Sequence, residues 1–225
     1  MALINSSEDA LFPNAWKVLK SVGGRHSSGE IGASLDSEKR FVLAVQDGEE
    51  IVSAGVYGVV EVEGTGKSYA YVERIATTED SRKKGAAQRM LKDLDAAFAP
   101  MLVPDGSEYT GSFLFVKANR LFGGKELKGL LEAYAKMGYS LPFADKTPVE
   151  IASGGDKYLF LIRDAKGGAR NLPQSAGELG ALLGAFGKEF VGERDNLEAG
   201  EAAYALSSGG KGELEYRSPL DYAGN

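Results

Sequence analysis

Arg82, Lys83 and Lys84 stand directly before Gly85, Ala86 and Ala87, and that order of cations and small residues suits an anion. The cations supply charge. Gly85 and Ala86 let a phosphate come close to the main chain, and Gly85 can take a positive φ that turns successive amides toward one anion. The chemistry this predicts is recognition of a phosphate or pyrophosphate, provided that the run opens a helix. The first N–H groups of a helix lack intrahelical partners and carry the positive end of the macrodipole. A merely solvated basic loop has the same composition, so the flanking elements must decide.

Those flanks read as a strand and a helix. Residues 69–76, YAYVERIA, are rich in aromatic and β-branched side chains with no Gly or Pro, as a strand requires. From Ala86 onward Met90, Leu91, Leu94 and Phe98 recur three or four apart, on one face of a helix. Two rival phosphate motifs fit less well. Gly66-Lys67-Ser68 has the ending of a Walker A loop, but Glu61 holds the place of its first glycine and a strand follows, so a hairpin turn is expected there. Gly85-Ala86-Ala87 lacks the Gly-x-Gly-x-x-Gly spacing of a dinucleotide fold, and no βαβ series surrounds it.

Arg82-Lys83-Lys84-Gly85-Ala86-Ala87 resembles the Arg/Gln-x-x-Gly-x-Gly/Ala signature of the GNAT superfamily of N-acetyltransferases, which also follows a strand and opens a helix. Downstream, Tyr134-Ala135-Lys136-Met137-Gly138-Tyr139 is similar to the family's second signature, a helix ending in Tyr-x-Lys-x-Gly-Phe/Tyr. The resemblance spans roughly residues 40–163. It implies an α/β fold, more closely an α+β mixed sheet of the GNAT-like acyltransferase kind, with acetyl-CoA as cosubstrate. The pyrophosphate would lie on the main chain around Arg82, Lys83, Lys84, Gly85, Ala86 and Ala87. A small-molecule or protein amine would attack the thioester directly, with no covalent enzyme intermediate.

The same resemblance implies roles for four further residues. Glu73 lies in the strand before the loop, where the family often places a carboxylate, and is the candidate base. Alternation puts it on the face of Tyr71 and Ile75, neighbours that would raise its pKa, while a Glu paired across strands is the structural alternative. Tyr134 is the candidate acid for the departing thiolate, although its place on an apolar stripe also suits a core tyrosine. Asn119 resembles the asparagine that follows the fifth strand, with an interval to Tyr134 longer than usual. Thr77 stands where the family commonly has Val, and its backbone could polarise the thioester carbonyl.

The remaining sequence must form the scaffold. Hydrophobic residues make up 43% of the 225, enough for a sizeable core. A net charge of -6 argues against general nucleic-acid binding, which needs a basic face. The absence of cysteine excludes disulfides, thiolate metal sites and a Cys nucleophile; no metal is expected. No apolar run reaches the roughly 18–20 residues that span a bilayer, and the first residues lack the pattern of a signal peptide. The expectation is a cytoplasmic protein with no membrane partner.

In chain order, Leu3-Ile4 reads as a first strand, then a helix capped by Ser6 or Ser7 and broken or restarted at Pro13. Residues 23–37 read as a polar loop holding His26, in the region where the family keeps acceptor-binding loops. Residues 40–45 and 51–60 form a hairpin around Asp47-Gly48, residues 111–116 a fifth strand buried on both faces, and residues 125–137 a helix capped by Gly138. Residues 141–143 and 158–163 finish the sheet.

Two domains are expected: residues 1–164 as the GNAT-like acetyl-CoA-binding domain, and residues 165–225 as a helical, glycine-rich C-terminal extension. In the latter Ser175 and Glu178 make a capping box, followed by Leu179, Leu182, Leu183, Phe186 and Phe190 on one face. That face must be covered by the core or by another chain. The leading functional reading is acetyl-CoA-dependent N-acetyl transfer to an amine. A second is a structural or assembly component, for example of a phage particle or other large assembly, that docks through residues 165–225 or forms a homo-oligomer through them.

Overall fold

Alternating strands and glycine turns build the surroundings of the anion loop. The computed structural model describes residues 1–21, 27–36, 40–82, 84–101, 106–118, 125–153, 156–190 and 212–223. Lys83, Asn119 and His26 lie outside them. The chain forms two compact units, one of residues 1–59 and 70–103, the other of residues 60–69 and 104–225.

The first unit contains β1 (Ala2–Ile4), α1 (Phe12–Lys20), α2 (Ser28–Asp36), β2 (Arg40–Asp47), most of β3 (Glu50–Val62) and β4 (Lys67–Thr77), a 3-10 turn (Glu79–Ser81) and α3 (Ala86–Met101). Its strands run in the order β1-β2-β3-β4. β2 pairs antiparallel with both β1 and β3. Gly48, at φ 63°, makes the expected β2–β3 turn. Gly64 and Gly66, at φ 77° and 66°, turn β3 into β4, so Gly66-Lys67-Ser68 is the end of a hairpin turn and not a phosphate loop.

The N-terminal helices depart from the expected pattern. Ser6 and Ser7 do not cap α1; Ser7 donates its hydroxyl and amide to the Asp36 carboxylate at 2.6 and 2.8 Å. α1 begins instead beside Pro13, in the first turn, where a missing N–H costs no helical bond. The segment expected to be a polar loop contains α2, with Ile31 and Leu35 buried. Its start is a capping box: Glu30 N–H donates to Ser27 Oγ at 3.3 Å, and Ser27 N–H donates back to the Glu30 carboxylate at 2.6 Å.

The second unit holds β5 (Glu108–Lys117), α4 (Lys125–Lys136), β6 (Leu141–Ala144), β7 (Thr147–Pro148), β8 (Glu150–Ser153), β9 (Asp156–Asp164), α5 (Ala176–Phe190), β10 (Leu214–Arg217) and α6 (Leu220–Ala223). β9 lies between β5 and β8, antiparallel to both. Residues 141–144 do not finish this sheet. Asp145 and Lys146 both take positive φ, 48° and 66°, the tight turn that folds β6 onto β7, and the free side of β6 is taken by β10. The outer strand beside β9 is therefore β8.

Burial on both faces explains why β5 reads as a continuous apolar run. On one face Phe113 and Phe115 meet Phe186 of α5, with ring centroids 5.6 and 5.0 Å apart. On the other, Ser112 shares a 2.8 Å hydrogen bond with the Tyr139 hydroxyl. At Gly111 a Cβ would fall 1.9 Å from the Arg163 carbonyl oxygen, so only glycine lets β9 approach.

Leu179, Leu182, Leu183 and Phe186 are fully buried, with Phe190 at 1%, so the apolar face of α5 is covered within the chain. Its start is the expected capping box, one residue offset: Glu178 N–H donates to Ser175 Oγ at 3.2 Å, while its carboxylate accepts from Gln174 N–H at 2.8 Å. Residues on both sides of Asp164 belong to the second unit. Among the described residues, no helix is long and apolar enough to cross a membrane.

Candidate active site

Gly85 has φ 75°, and a Cβ built on it would meet nothing within 4 Å. The positive φ required for turning amides toward an anion is therefore present, and the space beside it is open. The Gly85 carbonyl accepts the Arg89 N–H at 2.8 Å, which makes Gly85 the residue at which α3 begins. Ala86 is buried and Ala87 half-buried, while Arg82 and Lys84 are exposed. Charge thus stands at the surface while small residues lie against the helix start. Met90, Leu91 and Leu94 are buried and anchor α3 by the face its spacing indicated.

The chain reaches this loop through a network that holds the end of β4. Thr78 N–H donates to the Val52 carbonyl at 2.9 Å, and Arg82 Nε donates to the Thr77 carbonyl at 3.4 Å. Thr77 is explained by its partner: its hydroxyl lies 3.0 Å from that of buried Ser53, which also bonds the Ala76 carbonyl at 2.9 Å. A hydroxyl buried in β3 needs polar company, and Thr77 supplies it.

Glu73 stands beside a cation, not among apolar neighbours alone. Arg40 Nε donates to Glu73 Oε2 at 2.7 Å, and the two side chains are only 2% and 1% exposed. Because Glu73 as a whole is half-buried, what it exposes is main chain. Arg40 also donates from a terminal nitrogen to Ser34 Oγ of α2 at 3.0 Å. Arg40 and Ser34 were not visible as site residues in the sequence. Arg40 opens β2 just before the apolar run FVLAV, where a charged residue ordinarily marks the wet end of a strand.

Tyr134 belongs to the second unit, in the last turn of α4. Gly138, at φ 87°, ends that helix in a Schellman motif: Tyr139 N–H donates to the Tyr134 carbonyl and Gly138 N–H to that of Ala135, both at 3.0 Å. The Tyr-x-Lys-x-Gly-Tyr spacing is therefore also the spacing of a helix cap. Burial pushes the Tyr134 phenol up to about 12, so its proton is held at every working pH. Among the described residues no group of three His, Cys, Asp or Glu side chains is placed to hold a metal ion.

No family model and no curated protein matches this sequence. Solved structures do. The smu.2055 protein of Streptococcus mutans superposes with a TM-score of 0.50 at 14% identity, over 73% of this chain and 99% of its own. The ribosomal-protein-S18-alanine N-acetyltransferase of Escherichia coli gives 0.49 at 15% identity over 76% of this chain and 98% of its own. Arabidopsis thaliana NAA60 with acetyl-CoA gives 0.47 at 12% identity over 69% and 95%. Identities this low speak to architecture and not to substrate. The chain shares its mixed α/β fold with the smu.2055 protein.

Proposed function

We propose that the protein transfers an acetyl group from acetyl-CoA to an amine. The observation that carries this reading is the start of α3, where Gly85 combines a positive φ with open space beside the exposed Arg82 and Lys84. A helix start with cations beside it is a natural seat for a pyrophosphate. Thr77, Arg82, Lys83, Lys84, Gly85, Ala86, Ala87 and Asn119 are the proposed contacts to the cosubstrate. The amine nitrogen attacks the thioester carbonyl carbon, the C–S bond breaks, and CoA leaves as a thiolate.

Two protons must move. Glu73 is the proposed base for the proton that the amine loses. With its side chain 1% exposed, it would act through one water, a reach that general base catalysis allows. Tyr134 is the proposed donor to the departing thiolate. The acceptor amine can be a small molecule or a protein.

A thermal-shift titration with acetyl-CoA tests the reading directly. Ligand at about 100 times its Kd should add roughly 2.7 kcal/mol of stability, and a chain whose melting temperature ignores acetyl-CoA does not carry the proposed site.

A further inference from the structure

Buried Arg40, the buried Glu73 side chain and half-buried Ser34 form a polar chain within the first unit. It runs from the first residue of β2 to the middle of β4, and from the same guanidinium to α2. We propose that Arg40 is a positioning residue for the transfer reaction, fixing the Glu73 carboxylate in one orientation and tying it to α2 through Ser34. The role rests on the acetyl-transfer reading above.

The geometry requires more than a neutralising charge. A guanidinium is planar, donates in a fixed fork and never accepts. With Nε committed to Glu73 Oε2 at 2.7 Å and a terminal nitrogen to Ser34 Oγ at 3.0 Å, the plane of the fork is set by two elements at once. The carboxylate is thereby held at Oε2. A lysine at position 40 would carry the same charge on a flexible stem, without a second fixed direction. Arg40 itself is 3% exposed, and its effect on turnover passes through Glu73.

That dependence is the test. Full-length protein is assayed for CoA release from acetyl-CoA with glycinamide, lysinamide and spermidine as probe amines, and acetyl-CoA affinity is measured by calorimetry. Arg40→Lys should leave acetyl-CoA affinity and the amine KM within about threefold and lower kcat at least tenfold. Glu73→Gln should lower kcat at least as far, and Arg40→Lys placed on top of Glu73→Gln should change nothing further. Ser34→Ala, which keeps both buried charges, should lower kcat two- to fivefold and covers the case in which Arg40→Lys fails to fold. An unchanged kcat in Arg40→Lys or in Ser34→Ala overturns the proposal, as does a double variant whose loss is the product of the two single losses. Wild-type protein that binds acetyl-CoA yet acetylates none of the three amines overturns the transfer reading and this role together, whereas full turnover in the Arg40 variant overturns the role alone.

Discussion

The ring of Tyr134 stands edge-on to that of Tyr139, with centroids 5.6 Å apart and planes at 79°, across the glycine turn that ends α4. In a Schellman cap the third residue from the helix end commonly packs on the second residue beyond it, and these are those two positions. Tyr139 is held in turn by Ser112 of β5. The proposed acid is thus placed by a helix cap that is itself moored to the sheet of the second unit.

Gly138→Ala should therefore destabilise the fold. Its φ of 87° is left-handed, and the new Cβ would sit 3.3 Å from the Arg163 side chain. The left-handed conformation costs an L residue roughly 1–2 kcal/mol. Urea denaturation should show a loss of that size, and a midpoint equal to wild type would refute the assignment of the cap.

Tyr134→Phe keeps the ring and its contact with Tyr139 while removing the hydroxyl. Acetyl-CoA affinity and melting temperature should hold, and turnover should fall by about 10²–10⁴, the usual range for a lost general acid. Steady-state kinetics decide it: a full kcat would leave Tyr134 with the cap alone.

Gly85→Glu should abolish acetyl-CoA binding in a protein that still folds. The added side chain has room, since nothing lies within 4 Å of a Cβ at this position, and the left-handed backbone costs about 1–2 kcal/mol. A carboxylate beside the helix start repels the pyrophosphate. Calorimetry on the folded variant gives the answer, and wild-type affinity would move the cosubstrate elsewhere.

Stability should fall steeply in alkali. Burial raises the Tyr134 phenol from 10.0 to about 12, and raises Tyr69 and Tyr216 further still. A raised folded pKa means that stability is whole below the unfolded value near 10 and is lost as pH climbs from there toward the folded values. Each such tyrosine removes about 1.4 kcal/mol per pH unit in that window. Melting temperatures should be flat with respect to these groups below pH 9 and drop from pH 10 to 12, with Tyr134→Phe showing a shallower drop.

Removing residues 165–225 should leave a chain that does not fold. Leu179, Leu182, Leu183, Phe186 and Phe190 are at most 1% exposed, and burying side chains of this kind stabilises by about 1.5–3 kcal/mol each. Even as an upper bound, that sum rivals the 5–15 kcal/mol by which whole domains are stable. Circular dichroism and light scattering on the truncated protein check this, and a soluble, cooperatively melting fragment would put a domain boundary after Asp164.

Where one segment carried its own physical instruction, the sequence alone was decisive. The β4–loop–α3 order, the positive φ of Gly85, the Gly138 cap and the turns at Gly48 and Gly66 all follow from short-range chemistry, because a glycine or a 3.6-residue period acts on its immediate neighbours. The capping box of Ser27 and Glu30 was equally local and would have revealed α2, but the glycines and polar residues of that segment masked its two buried apolar positions. Tertiary structure decided the rest. No periodicity in β2 or β4 could pair Arg40 with Glu73, 33 residues away, or show Thr77 answering Ser53. The same holds for β10 taking the free side of β6, and for α5 completing the core of β5. Those contacts join residues distant in sequence whose partners are set by packing, and side-chain type alone leaves such pairings open.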